Sequence, residues 1–417
     1  MERYSEYKSS NVEWLKEIPS NWEQKKISYL FKERREKVSD KDYQPLSVSK
    51  QGVTLQLENA VKTDNGDNRK LVLEGDFVVN SRSDRKGSCG ISPFDGSVSL
   101  INIVLTPREN INKMFFHYLS RSNNYIEEFY RLGRGIVADL WTTRFSELKN
   151  LEIPLPPLSE QEKIVSYLDA KTSKIDEYVK EKEREVQLLN ELKETEIAKV
   201  VTQGLNPNVK MKDSGIPWIG MIPEHWEVKR VASLFTGNVE SNSDFEFKHA
   251  FKFNYGTLVL KDEPGDIEEY RDTYAKYSKI KKNDILINGL NLNYDFVSQR
   301  VAIAPKDGII TSAYIVARPR QLTNAEYYNL LFKTMDNKKL FHGMGTGIRL
   351  TLSFDELKKQ LVVVPPANEQ CAIVSHIEKK CSKIDSLIAE LEAEIKYIKE
   401  YKQRLIADCV TGQIKIL

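Results

Sequence analysis

The chain has 417 residues, 40% of them apolar and 29% charged, a length that calls for two to four structural units and a composition that excludes wholesale disorder. Its 62 basic and 60 acidic residues leave a net charge of +2, so bulk charge does not announce a polyanionic partner. Four cysteines without a Cys-x-x-Cys pair, a start (MERYSEYKSS) with no apolar stretch, and no run near the ~20 apolar residues of a membrane span argue against a disulfide framework, a secretory leader and a transmembrane segment, and the expectation is a cytoplasmic protein.

Residues 1–155 open on YKSSNVEWLKEIPSNWEQKK (Tyr7–Lys26) and continue with short β-rich runs, Leu71–Asn80 and Ser99–Pro107, then a helix-like stretch, Asn112–Leu132. The mixture predicts an α/β or α+β globule of ordinary domain size. After the strand-like Asp76–Val79 comes NSRSDRKGS, which places Asn80, Arg82, Ser83, Arg85 and Lys86 together. Further on, RLGRGIVADL sets Arg131 and Arg134 beside glycines that permit close approach to a phosphate chain. Arg, Lys and Asn read base edges, while Ser and backbone N–H groups hold phosphates. The ordinary alternatives are a solvated polar loop and a plain turn.

Residues 156–204 begin with Pro156-Pro157, which fix the chain direction because proline and the residue before it resist helical geometry. From Ser159 to Gln203 there is no Gly or Pro. Ser159 followed by Glu162 fits a capping box, and Gly204 suits a helix end. At ~1.5 Å per residue this helix spans roughly 65 Å, too long to stand alone. Walking 3-4-3-4 gives Val165, Leu168, Thr172, Ile175, Val179, Lys182, Val186, Leu189, Lys193, Glu196 and Val200, seven of eleven apolar.

Residues 205–365 repeat the order. MKDSGIPWIGMIPEHWEVKR (Met211–Arg230) matches Tyr7–Lys26 at a shift of 204, so that Trp14, Pro19, Trp22 and Glu23 recur as Trp218, Pro223, Trp226 and Glu227. β-rich Asp284–Asn288 and Ser312–Pro319 precede a helix-like Asn324–Phe341. The loop matching the first basic loop is NGLNLNYDFVSQR, with Asn288, Asn291, Asn293, Tyr294, Gln299 and Arg300; the second, HGMGTGIRL, holds Thr346 and Arg349. Different side chains at equivalent loops suit two domains reading different DNA words. The globular blocks carry a slight basic excess and the first helix an acidic one.

Residues 366–412 predict a second long helix behind Pro365-Pro366, with Asn368 able to cap it, and 413–417 form a tail. Here the shift is 209, and the seam becomes Val374, Ile377, Cys381, Ile384, Ile388, Leu391, Ile395, Ile398, Lys402, Leu405 and Cys409, ten of eleven apolar or cysteine. A stripe sustained over this length is a coiled-coil signal. The two seams most simply pack on each other, as antiparallel rods with the globules at opposite ends; docking of each on a separate partner protein is the alternative. The seam cysteines read as small buried hydrophobes.

Enzymatic motifs are weak. Gly343-x-Gly345-x-Gly347 follows a helix-like run instead of a strand, so a dinucleotide loop fails. A nuclease set can be drawn from Asp139, Glu147 and Lys149, but its second copy has Thr351 in place of the aspartate, and both Glu-x-Lys pairs read better as a helical turn before a strand. There is no phosphate loop, no HExxH, no methyltransferase motif, and the five histidines are scattered. The chain reads as one that binds.

The W-x-x-x-I-P-x-x-W-E-x-K opening, PLPPLSEQEKIVSYLD leading into the helix, VTQGL at its end, and the repetition of all three resemble the specificity subunit of type I restriction–modification systems. The resemblance covers essentially the whole chain; at the second helix start, PPANEQ replaces PPLSEQ. It implies an α+β fold with two target-recognition domains (1–155 and 205–365) and two antiparallel spacer helices (156–204 and 366–412) related by pseudo-two-fold symmetry. It implies a non-catalytic subunit that binds double-stranded DNA, two DNA-methyltransferase subunits and restriction/translocase subunits, with S-adenosylmethionine, ATP and Mg confined to those partners and no metal on this chain. A type IIB-like system, a coiled-coil scaffold with two protein-binding domains, and a cryptic nuclease remain the alternatives.

Overall fold

A computed structural model describes residues 2–57, 66–108, 111–135, 141–237, 240–262, 268–297, 299–321 and 323–416. The chain forms two compact units: unit 1 is residues 1–183 with 392–417, and unit 2 is residues 184–391.

Unit 1 is built on a four-stranded antiparallel sheet in the order Cys89–Ile91, Phe77–Asn80, Asn102–Pro107, Phe31–Glu33. Side chains alternate between faces along a strand. Phe77, Val79, Ile103 and Leu105 therefore enter one core, with Phe115, Phe116 and Phe129 from two helices. Val78 and Val104 enter another, against Leu46, Val53, Val72 and Val98 of the neighbouring strands. A sheet buried on both faces explains the uninterrupted apolar runs of the sequence.

Unit 2 repeats this sheet strand for strand: Val301–Ile303, Ile285–Ile287, Ile315–Pro319, Phe235–Thr236. Ile285, Ile287, Ile315 and Ala317 face the core shared with the helix Ala325–Asn337, and Leu286 and Val316 face the opposite one. The fold is mixed α and β in both units.

Two predicted elements are broken. The run Leu71–Asn80 is two strands, Arg69–Val72 and Phe77–Asn80, which belong to different sheets. A turn separates them at Gly75 (φ +88°), where the Asp76 carboxylate accepts from the Leu73 amide at 2.9 Å and from Arg34 Nε at 2.7 Å. The stretch Asn112–Leu132 is two helices, Lys113–Ser120 and Asn123–Arg131, because the Ser122 hydroxyl caps the second by accepting from the Tyr125 amide.

The repeated motifs meet where globule becomes helix. Glu23–Lys26 pairs with Glu152–Leu155, the strand that ends in the double proline, and Glu227–Arg230 pairs with Leu361–Val364. The long helices run Leu158–Gln203 and Ala367–Val410. Both start earlier than the capping pattern predicts, so Ser159 and Asn368 lie inside the first turn and are not caps. The Glu-Gln pair instead ties the helix start to its surroundings. Gln161 Nε2 donates to the Pro156 carbonyl at 2.9 Å and Gln370 Nε2 to Pro365 at 2.8 Å, which holds the proline corner. Glu160 accepts from the Tyr4 hydroxyl and from Asn21 Nδ2; Glu369 accepts from Trp226 Nε1 at 2.9 Å and lies against His225 Nε2. Acids in a first turn also complement the helix dipole.

The helix ends are set by glycine. Gly204 and Gly412 both have φ +76°. A Cβ at Gly204 would come 3.1 Å from the Trp226 ring, and one at Gly412 would come 2.4 Å from Pro19 and 3.2 Å from Trp22. The Trp and Pro of each opening motif therefore close over the end of a long helix.

Within unit 1, the first part of one helix lies antiparallel to the last part of the other, with Asp176–Lys402 at 2.6 Å and Glu183–Lys399 at 2.7 Å. Within unit 2 the remaining parts pair the same way, through Lys193–Asp385 and Glu196–Lys380, both at 2.6 Å. Lys193 and Lys402, like Asp176 and Asp385, are 209 apart, so each unit carries the same cross-helix ion pair. Every seam position of the 3-4-3-4 walk is buried or half-buried in both helices.

Candidate nucleic-acid interface

The two loops singled out in each globule come together at one edge of its central sheet. In unit 1, the first loop leaves strand Phe77–Asn80 and returns at Cys89. Its neck is closed by the Asn80 amide on the Ser88 carbonyl at 2.9 Å. Asn80 Oδ1 accepts from the Arg82 amide, and Tyr130 Oη donates to the Asn80 and Arg85 carbonyls at 3.0 and 3.1 Å. Burial pushes the Tyr130 hydroxyl above its ordinary range, which keeps it a donor.

The second loop is tied to the first. Arg134 and Thr142 exchange backbone bonds at 2.9 and 3.1 Å, and the Thr143 amide donates to the Ser81 carbonyl at 3.0 Å. Trp141 Nε1 donates to the Tyr130 carbonyl at 2.8 Å. Arg82, Arg85, Lys86, Arg131 and Arg134 thus share one exposed tip. Lys86 lies 2.8 Å from Glu127, Arg131 2.6 Å from Glu128 and Arg134 4.0 Å from Glu147. Its hydrogen bond to Glu128 raises the Arg131 pKa. The Lys86–Glu127 pair is exposed on both sides and worth little, so a phosphate can displace that carboxylate, whereas the buried Glu128 holds Arg131 through two bonds. Ser83 begins the single 3-10 turn Ser83–Arg85 between the basic side chains.

Unit 2 builds the same neck with other side chains. The Asn288 amide donates to the Arg300 carbonyl at 2.8 Å, and Asn288 Oδ1 accepts from the Leu290 amide at 3.2 Å. Thr346 and Thr351 exchange backbone bonds at 3.1 and 2.9 Å, and the Leu352 amide donates to the Gly289 carbonyl at 2.9 Å. Asn293 Nδ2 donates to the Ile348 carbonyl at 2.8 Å, which laces one loop to the other, and the Phe296 ring stacks on His342 with centroids 4.6 Å apart.

Arg300 ties this loop together as Tyr130 does the loop in unit 1. It is only 1% exposed. Nη1 donates to the Asn288 and Leu290 carbonyls at 3.0 and 2.8 Å, and Nη2 to Asp295 O at 2.9 Å. Its amide donates to the Asp336 carboxylate, whose pKa burial raises. This corrects the sequence expectation for three residues. Arg300 is a buried loop organiser, Asn80 is buried and turns the chain, and the half-buried Asn288 does the same. Asn293 is half-buried and its amide is spent on the neighbouring loop.

Asn291, Tyr294, Gln299, Thr346 and Arg349 are exposed on the unit 2 tip. Sequence reasoning missed Phe296, Val297 and Ile348, which are exposed there too. Three non-glycine residues at or next to this tip have positive φ: Tyr255 (43°), beside the Gly256 that packs against Gln299, Asn291 (52°) and Leu350 (41°). Such conformations cluster where a surface is held in shape for a ligand.

The nuclease alternative gains nothing from the geometry. Glu147 sits in the short helix Phe145–Leu148 and Glu356 in Phe354–Leu357, each before a strand; Asp139 lies outside the described residues. A Cβ at Gly345 would strike Leu350 and Leu292, so that glycine serves packing. Among the described residues, no helix is long and apolar enough to cross a membrane.

Comparison with known proteins places this arrangement. The sequence pattern of the type I restriction modification DNA specificity domain matches twice, over residues 19–188 and 223–397. The MjaX specificity subunit assigned to a type I restriction enzyme of Methanocaldococcus jannaschii is 23% identical over 98% of both chains. The EcoKI specificity subunit of Escherichia coli is 21% identical over 81% of this chain and 75% of that one. Among solved structures, a chain from a study of complex assembly and conformational transition in the type I R-M system superimposes with a TM-score of 0.68 at 16% identity, covering 95% of this chain and 99% of that one. The HsdS subunit from Thermoanaerobacter tengcongensis gives 0.51 at 17%, covering 95% and 98%. At these identities the structural likeness establishes the fold.

Proposed function

Because this chain belongs to the type I restriction–modification DNA specificity family, we propose that it is the DNA sequence-recognition subunit of such a complex. Each globule reads one half of a bipartite site. The long helices form an antiparallel coiled-coil spacer that sets the gap between the halves and docks two DNA-methyltransferase subunits, to which restriction/translocase subunits are added. The chain itself is non-catalytic and works in the cytoplasm. S-adenosylmethionine, ATP and Mg belong to the partner subunits.

One observation carries this reading: the same two-loop tip, closed by the same backbone bonds, is built in both units with different side chains upon it. A shared scaffold with exchanged tips is what two readers of unlike words require. Exposed Lys and Arg supply affinity that falls with salt. A few side chains per tip supply specificity, at ~1–3 kcal/mol for each good bidentate base contact.

Exchange of residues 205–365 for the matching block of a relative tests it, with methylation mapped on host DNA. One half-site changes and the other half, with the gap, stays. Alteration of both halves, or of neither, refutes the division of labour.

A further inference from the structure

The two tips share a scaffold, and among the described residues they differ in chemistry. Unit 1 presents five cationic side chains. Unit 2 presents Tyr294 at 78%, Val297 at 88% and Ile348 at 94% exposure, with Asn291, Gln299 and Arg349 around them. Ile348 stands at the apex of the hairpin between Thr346 and Thr351, shaped by Gly347 (φ +76°) and Leu350 (φ +41°). The bond from Asn293 to its carbonyl fixes that apex against the other loop. Large side chains left almost wholly in water gain nothing for the fold, and gathered on one tip they mark a contact surface.

A narrow hairpin tip flanked by amides and one arginine is the shape of a groove reader, whereas a protein-docking face is broader with an apolar centre. The major groove admits a two-stranded ribbon, and its one apolar group is the thymine C5 methyl. Asn and Gln pair with the adenine edge, Arg and Lys with the guanine edge. Resting on the DNA-recognition reading above, we propose that unit 2 reads a thymine-containing half-site through the thymine methyl. Ile348 and Val297 form its apolar seat, and Asn291 and Gln299 supply hydrogen bonds to adenine.

Deoxyuridine tests this, since it lacks only the C5 methyl and keeps every hydrogen-bonding group. The full chain, assembled with its methyltransferase subunits, is titrated with duplexes carrying the mapped site, with thymines of one half replaced at a time; the exchange of residues 205–365 identifies the half read by unit 2. Uracil in that half weakens binding about fourfold per contacted methyl. Ile348→Ala weakens binding to the thymine duplex and removes the sensitivity to uracil; at 94% exposure the substitution leaves the fold alone. The proposal is overturned by a unit 2 half-site without thymine, by equal affinity for the two duplexes, or by an Ile348→Ala chain that binds like the parent or loses only subunit assembly. Absence of site-specific binding to any duplex would instead overturn the DNA-recognition reading itself.

Discussion

Tyr130 and Arg300 hold equivalent loops by unrelated chemistry. The phenol donates to two carbonyls and the guanidinium to three. Removing the guanidinium strands buried acceptors. Arg300→Met therefore costs about 3 kcal/mol of stability, read by urea unfolding, and lowers DNA affinity only through the disordered tip. Arg82→Ala and Arg134→Ala leave stability unchanged, and each reduces the slope of log affinity against log salt by about 1. His117 supplies a pH test. Burial, with a smaller contribution from Arg121, lowers its pKa from 6.5 to about 4. The folded state holds the imidazole neutral, so its contribution is complete above 6.5 and is lost as pH falls toward 4. The loss reaches roughly 3 kcal/mol, and His117→Phe flattens that part of the profile. An arginine in a polar loop reads as a surface contact from sequence. Nothing local distinguishes Arg300 from Arg82, because burial is decided by Asp295, Leu290 and the helix carrying Asp336.

The long helices were the most legible elements, since a heptad stripe is a local property and Gly204 marks the end it was expected to mark. Their starts were less so. The serine of PPLSEQ looks like a cap, yet the first turn forms before it and the Glu-Gln pair serves the opening motif and the prolines. Polar residues interrupt the seam, and three of them find an opposite charge on the other helix: Lys402 with Asp176, Lys193 with Asp385, Glu196 with Lys380. Such pairs add little stability but disfavour a shifted register. Lys402→Glu places like charges together and costs about 1 kcal/mol. The double variant with Asp176→Lys restores most of it. Thermal unfolding of the three chains checks this, and additive losses would deny the pairing. The salt bridge between Arg34 and Asp76 reappears as Arg318 and Asp284, with the arginine moved to the neighbouring strand of the same sheet. A buried carboxylate at the turn is retained and its partner is free to migrate.

At the scale of the molecule, the proposed spacer makes the helices a length. A heptad inserted at matching positions in both keeps the seam in phase. It adds about 10 Å at ~1.5 Å per residue, or about three base pairs at ~3.4 Å each. The mapped methylation site then shows the same two half-sites with a gap longer by about three. Altered half-sites with the original gap would contradict the spacer. Insertion into one helix alone breaks the register and lowers the melting temperature.

By itself the sequence determined the duplication, the two rods with their apolar seam, and the location of both variable loops, because each of these is written in periodicity, punctuation or self-similarity along a single stretch of chain. The tertiary structure decided which loop residues face out. It also decided that Trp22 closes over Gly412 and Trp226 over Gly204, and that unit 1 takes its core from both ends of the chain. Those outcomes turn on which side chains are buried against segments far away in sequence, and burial is a property of the packed neighbourhood, which no local pattern records.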